Sequence, residues 1–248
     1  MSLDHAELLE LKRWSTPTVY NGWEQITHHN PARAGFNLEE CHDFMPHMGP
    51  MVGYAVTCVI EPSCAEHKLK AADSWEAYFE YIASFDLPKI IIIQDIDKPQ
   101  VFGSFWGEVS ANTHRALGCV GTITDGGIRD LDEMNGVGFK ALARRLCVGH
   151  AHVVPVYWGC SVEVFECQVK PGQLVHADKH GFLAIPEEDE NGLLEALRFM
   201  DSNECRTVIS AARSTAGKTK NQILAELKIA RANFTQATLT HFGRKGEL

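Results

Sequence analysis

Lys89-Ile90-Ile91-Ile92-Ile93-Gln94-Asp95 holds four consecutive β-branched residues and no polar alternation. A run that short and that apolar reads as a strand buried on both faces, the habit of parallel sheets in α/β proteins. Working outward, Gly107 to Leu117 reads as a helix closed by Gly118. Cys119 to Thr124 then reads as a second apolar strand ending in the turn Asp125-Gly126-Gly127. Strand, helix and strand make one βαβ unit whose right-handed crossover sets the strands parallel. Their carboxyl ends share an edge, and ligands of α/β sheets favour such an edge.

That edge collects chemistry. Glu108 opens the helix, and after twenty residues Arg129-Asp130 follows in the loop beyond the second strand. Two carboxylates suit a hard cation such as Mg²⁺ or Mn²⁺, which keeps waters when one or two carboxylates bind it. Asp130 is the expected direct ligand, with Glu108 holding metal-bound waters or binding directly. The backbone N–H groups of Val109 and Ser110, at the helix start, are offered to an anion. A 2-oxo acid chelating the cation places its developing enolate charge beside Arg129, whose planar fork matches paired oxygens. The bland alternative is a surface Arg–Asp salt bridge and a Glu that only favours the helix dipole.

The remaining chain fits around this unit. Leu8–Trp14 and Thr16 to about Thr27 read as helices, residues 30–50 as a loop, and Val52–Ile60 as a strand. Residues 74–84 carry apolar side chains at helical spacing. Strands are expected at 162–169, 173–177 and 182–185, with helices from Glu187 onward, including an amphipathic one near Asn221–Phe234. The partition expected is an α/β domain over residues 1–190 and a helical C-terminal extension over 191–248, packed on that domain or on a neighbouring subunit.

Composition bounds the partners. Of 248 residues, 45% are hydrophobic and 22% charged, enough to bury a core without staples. A formal net charge of -9 argues against nucleic acid and anionic membranes. No 18-residue apolar run and no signal-peptide pattern appears, so a cytoplasmic protein with reduced cysteines is expected. The eight cysteines form no C-x-x-C pair and no Cys/His run of zinc spacing. His150-Ala151-His152 reads as surface rather than a ligand pair, and Asp178 and His180 as turn residues. Asp95 and Asp97 read as solvated loop acids. Ser214–Thr219 echoes a P-loop, but Ala212 stands where its first Gly is required.

Trp106-Gly107-Glu108, Gly121-Thr122-Ile123-Thr124-Asp125-Gly126-Gly127-Ile128-Arg129-Asp130, and Val169-Lys170-Pro171-Gly172 through Ala177-Asp178 to Gly181 and Pro186 resemble the RraA-like family. Val52–Thr57 looks like its early strand, and the likeness spans about residues 15–190. The spacing matches the family's branch of 4-hydroxy-4-methyl-2-oxoglutarate/4-carboxy-4-hydroxy-2-oxoadipate aldolases. The resemblance implies the swivelling β/β/α fold, assembly as homotrimers or homohexamers, and metal-dependent retro-aldol cleavage releasing pyruvate, with oxaloacetate decarboxylation. It assigns the pyruvyl contact to Arg129, the Mg²⁺ or Mn²⁺ ligand to Asp130, and substrate carboxylate binding to Gly107, Glu108, Val109 and Ser110. It implies a metal-bound water as proton shuttle, and Glu204 is a candidate for completing a neighbouring site.

The alternative within the family is a non-catalytic, protein-binding regulator of ribonuclease E; such regulators lack the Asp of the Arg-Asp pair. The label demethylmenaquinone methyltransferase, attached to similar sequences, lacks its Gly-rich loop here. Departures from the family pattern are Asn21 for Asp, Phe165-Glu166 for Gly-Gly, and Gln173 for Asp.

Overall fold

The computed structural model describes residues 3–33 and 35–246. They form two compact units, one of residues 3–16 and 33–187, the other of residues 17–32 and 188–246.

The first unit is built on a mixed sheet. Its strands are β1 (His42–Asp43), β2 (Met51–Ile60), β3 (Lys89–Asp95), β4 (Ser104–Trp106), β5 (Cys119–Ile128), β6 (Lys140–Leu146), β7 (Tyr157–Trp158), β8 (Val162–Val164), β9 (Cys167–Val169), β10 (Leu174–Asp178) and β11 (Gly181–Ile185). The spatial order is β1-β6-β5-β3-β2-β10-β11, with β4 beside β5 and β7 beside β2; β8 and β9 form a separate hairpin. Strands β2, β3, β5 and β6 run parallel, as the isoleucine run requires. Ile90 and Ile92 point into one core, and Ile91 and Ile93 into the other. Both faces are therefore apolar, and alternation along the strand disappears.

Helices α1 (His5–Leu11), α2 (Thr16–Ile26), α3 (Ala71–Ala83), α4 (Glu108–Ala116) and α5 (Leu131–Gly136) precede the C-terminal α6 (Glu190–Glu204), α7 (Ser210–Arg213) and α8 (Lys220–Phe242). A π-helical turn, Cys205–Ile209, joins α6 to α7. In the second unit Asn203 donates to the Phe234 carbonyl at 3.1 Å and to Thr238 Oγ1 at 3.1 Å, fixing α8 against α6. Thr219 and Gln222 cap α8 reciprocally, so the P-loop echo is a capping turn.

Two expectations are corrected. Asp125-Gly126-Gly127 is no turn: β5 continues through it to Ile128, with a register shift against β6 between Thr124 and Gly127. The 162–169 segment is two strands joined by Phe165 and Glu166 at φ 50° and 60°. A two-residue turn needs positive φ there, which explains why glycines suit these positions. His150 and His152 flank Ala151 at φ 47°, with His150 exposed and His152 half-buried.

Candidate active site

The short strand β4 builds the site. It pairs parallel to the end of β5, so two strands deliver the chain to one place at one edge. From β4 the chain passes through Gly107 into α4; from β5 it passes through Arg129 and Asp130 into α5. The Arg129 N–H donates to the Trp106 carbonyl at 3.2 Å and ties the two exits together.

Asp130 sits at the N-cap of α5 in the left-handed region, φ 55° and ψ 49°, and its side chain makes no cap hydrogen bond. Such a backbone is uncommon outside glycine, and Asp is among the few side chains that tolerate it. Its consequence is directional. The carboxylate turns away from its own helix and Oδ2 accepts the Glu108 N–H at 3.0 Å, the first amide of α4. Arg129 Nε lies 3.6 Å from the same oxygen, both side chains being about a third exposed (37% and 36%). Arg129 Nη1 donates to the Val148 carbonyl at 3.3 Å, which fixes the guanidinium from its far side.

Gly107 makes this convergence possible. Its φ of −167° is ordinary extended backbone, so space, not conformation, demands glycine. A Cβ there would lie 2.5 Å from Asp130 Oδ2 and 3.2 Å from Arg129 Nε. The amides of Val109 and Ser110 belong to the first helical turn and have no intrahelical acceptor. The Glu108 side chain is exposed. Helix α4 is anchored by His114, whose Nδ1 meets the Ser110 carbonyl at 2.6 Å and whose ring packs on Trp106 at 4.6 Å between centroids. Burial pushes that imidazole down to about 4, so it stays neutral.

Thus Gly107, the Glu108 amide, Arg129 and Asp130 meet, whereas the Glu108 carboxylate, which the spacing expected beside Asp130, is exposed and makes no hydrogen bond to either partner among the described residues. Two features escape the sequence. First, Asp95 is buried, not solvated. Its N–H donates to Asp125 Oδ1 at 2.7 Å, and Lys98 Nζ lies 2.9 Å from Asp125 Oδ2. Among the described residues Asp95 Oδ2 has no hydrogen-bond partner, and a Cβ on Gly126 would come within 2.9 Å of it. Burial, opposed by the Asp97 N–H, pushes the Asp95 carboxyl up to about 7. Second, Glu61, Cys64 and His67 cluster after β2. Their mixed E-x-x-C-x-x-H pattern could have been found only by reading all ligand types at a three-residue period.

A sequence model of the RraA-like family, described as Aldolase/RraA, matches residues 16–184, and the chain belongs to that family. Among curated proteins, Protein DlpA of Legionella pneumophila is 23% identical over 104 residues, which is 41% of this chain but only 17% of that protein. Two solved structures share the fold. An uncharacterized protein from Pseudomonas syringae pv. tomato matches with TM-score 0.68 at 19% identity, covering 91% of this chain and 95% of that one. Streptomyces coelicolor RraAS2, described as an unusual member of the RNase ES inhibitor RraA protein family, matches with TM-score 0.65 at 17% identity, covering 86% and 98%.

Proposed function

We propose that this protein is a divalent-metal-dependent lyase cleaving a 4-hydroxy-2-oxo acid to pyruvate and a second oxo acid, and decarboxylating oxaloacetate at the same site. The observation that carries this reading is the left-handed Asp130, whose carboxylate is aimed at the opening amide of α4 beside Arg129. An ordinary helix cap would point the other way.

The residues fit Mg²⁺ or Mn²⁺. The donor set is all oxygen, from the carboxylates of Asp130 and the exposed Glu108. Asp130 would ligate the cation, with Glu108 holding its waters or binding it. When bound, the cation withdraws electrons from the substrate's keto group and so eases cleavage of the C3–C4 bond. The Arg129 fork meets the pyruvyl oxygens and stabilises the negative charge as it grows; its tether to Val148 means little reorganisation is needed. The Val109 and Ser110 amides hold the substrate carboxylate at the positive end of α4. Exposed Phe102, Val109, Leu146 and Val148 adjoin the site in the chain, and assembly as a homotrimer or homohexamer would cover them. The ligand is a small acid; the net charge of -9 disfavours nucleic acid, and no helix of the described residues is long and apolar enough to cross a membrane.

Pyruvate release from a 4-hydroxy-2-oxo dicarboxylic acid tests the reading. Activity is expected with Mg²⁺ and expected to vanish with EDTA and in Asp130→Ala; equal rates in all three would remove it. The alternative, a regulator that binds ribonuclease E, takes support from the fold shared with the Streptomyces protein. Capture of that ribonuclease by a protein without lyase activity would favour it.

A further inference from the structure

We propose that Glu61, Cys64 and His67 form a second metal site, selective for a borderline-soft divalent cation, with zinc as the best match. The inference stands independently of the lyase reading and uses different residues, at the carboxyl end of β2.

One ligand atom from each residue lies within 4.8 Å of the others, and all three residues are partly buried. The local backbone explains the convergence. Cys64 is the N-cap of a 3₁₀ helix, Ala65–Lys70, and in that helix side chains three apart eclipse on one face. Cys64 precedes that helix with extended backbone and His67 lies on its first turn, and their ligand atoms converge. The Cys64 N–H donates to the Glu61 carbonyl at 3.1 Å, a tight turn that carries Glu61 to the same side. The loop is held from outside as well. Asp97 accepts from Ser63 N–H at 2.7 Å and Ser63 Oγ at 2.6 Å, and the Pro62 carbonyl accepts the His152 N–H at 3.1 Å. Pre-organisation of this kind lowers the entropy lost when a cation binds.

The donor chemistry selects the metal. Thiolate, imidazole and carboxylate together suit zinc or cobalt, and three protein ligands leave a fourth tetrahedral position for water. The Asp130 site offers only oxygen, so the two sites choose different ions. His67 Nε2 and Glu61 Oε2 lie 2.6 Å apart, the length of a hydrogen bond. Two ligands on one tetrahedral zinc sit about 3.3 Å apart. Entry of the ion therefore breaks that hydrogen bond and opens the pair by about 0.7 Å. The Cys64 thiol gives its proton to solvent as its sulfur becomes the anionic ligand, and the proton on His67 Nε2 passes to Nδ1 or to solvent as Nε2 takes up the cation.

The test uses full-length protein stripped with a chelator under reducing conditions and titrated with Co²⁺. One equivalent is expected to give a thiolate-to-cobalt charge-transfer band and the intense visible bands of tetrahedral cobalt. Stoichiometric Zn²⁺ should bleach them. Cys64→Ser should lose the charge-transfer band, and His67→Ala and His67→Gln should each weaken cobalt binding by about 100-fold or more, at least the loss for an outer partner. Asp130→Asn and Cys160→Ser should keep the band, which separates this site from the lyase site and from exposed thiols; circular dichroism checks that each variant is folded. Absence of the band from the parent protein, or its persistence in Cys64→Ser, overturns the proposal.

Discussion

Gly107→Ala separates the geometry of the site from the stability of the fold. The backbone at 107 is extended, so alanine meets no conformational penalty there. Its Cβ would stand 2.5 Å from Asp130 Oδ2, against an ordinary carbon–oxygen contact of about 3.3 Å. The carboxylate must retreat by about 0.8 Å, stretching its 3.0 Å hydrogen bond from the Glu108 N–H. Arg129 Nε, 3.2 Å from the new methyl, is pushed as well. Loss of one charge-assisted hydrogen bond near solvent costs about 1–2 kcal/mol, a fall in Tm of about 2–8 °C in a chain of this size. A misplacement near 1 Å at the reacting centre, in contrast, costs about 100-fold in rate. Pyruvate release read through lactate dehydrogenase, with thermal unfolding in parallel, is expected to show kcat/KM down by about 100-fold in a folded protein. Unchanged kcat/KM in Gly107→Ala would refute the argument that these three groups act together.

Asp130→Asn keeps shape and tolerance of the left-handed region but loses charge; lyase activity should drop by at least about 100-fold, with Tm within a few degrees of the parent. Exposed Glu166, at φ 60°, should welcome glycine: Glu166→Gly is expected to stabilise by about 1 kcal/mol in urea unfolding, and no gain would mean the turn is unstrained. Asp95 binds its proton more tightly folded than unfolded, so its contribution is full below pH 4 and is lost as pH rises to about 7. Asp95→Asn should therefore gain on the parent between pH 4 and pH 7, by about 1–4 kcal/mol; parallel urea midpoints for the two proteins across that range would contradict the buried acid.

The sequence made some of this architecture plain and hid the rest for identifiable reasons. Lys89–Asp95 is legible to the residue because both faces of β3 are apolar. Strand β6 is not, because Lys140, Arg144 and Arg145 interrupt its apolar run. Those charges are satisfied only in three dimensions: Lys140 is buried against Asp43 at 2.6 Å, and Arg144 pairs with Glu39. Asp125-Gly126-Gly127 carries turn chemistry, yet the glycines serve a strand that passes over Asp95 and against Cys147 and Val101. At the candidate site, the interval from Glu108 to Arg129-Asp130 points to the edge where the start of α4 meets Asp130. What it did not disclose is that β4 brings α4 there, or that Asp130 meets the Glu108 amide through a left-handed backbone. Neither spacing nor composition encodes that reversal.

The most direct test of the central claim is a crystal structure with Mn²⁺ and oxalate, a planar mimic of enolpyruvate. An anomalous manganese peak at the Asp130 carboxylate, with oxalate facing Arg129 and the first turn of α4, is the predicted result. Manganese bound elsewhere, with Asp130 still occupied only by its neighbours Glu108 and Arg129, would contradict it.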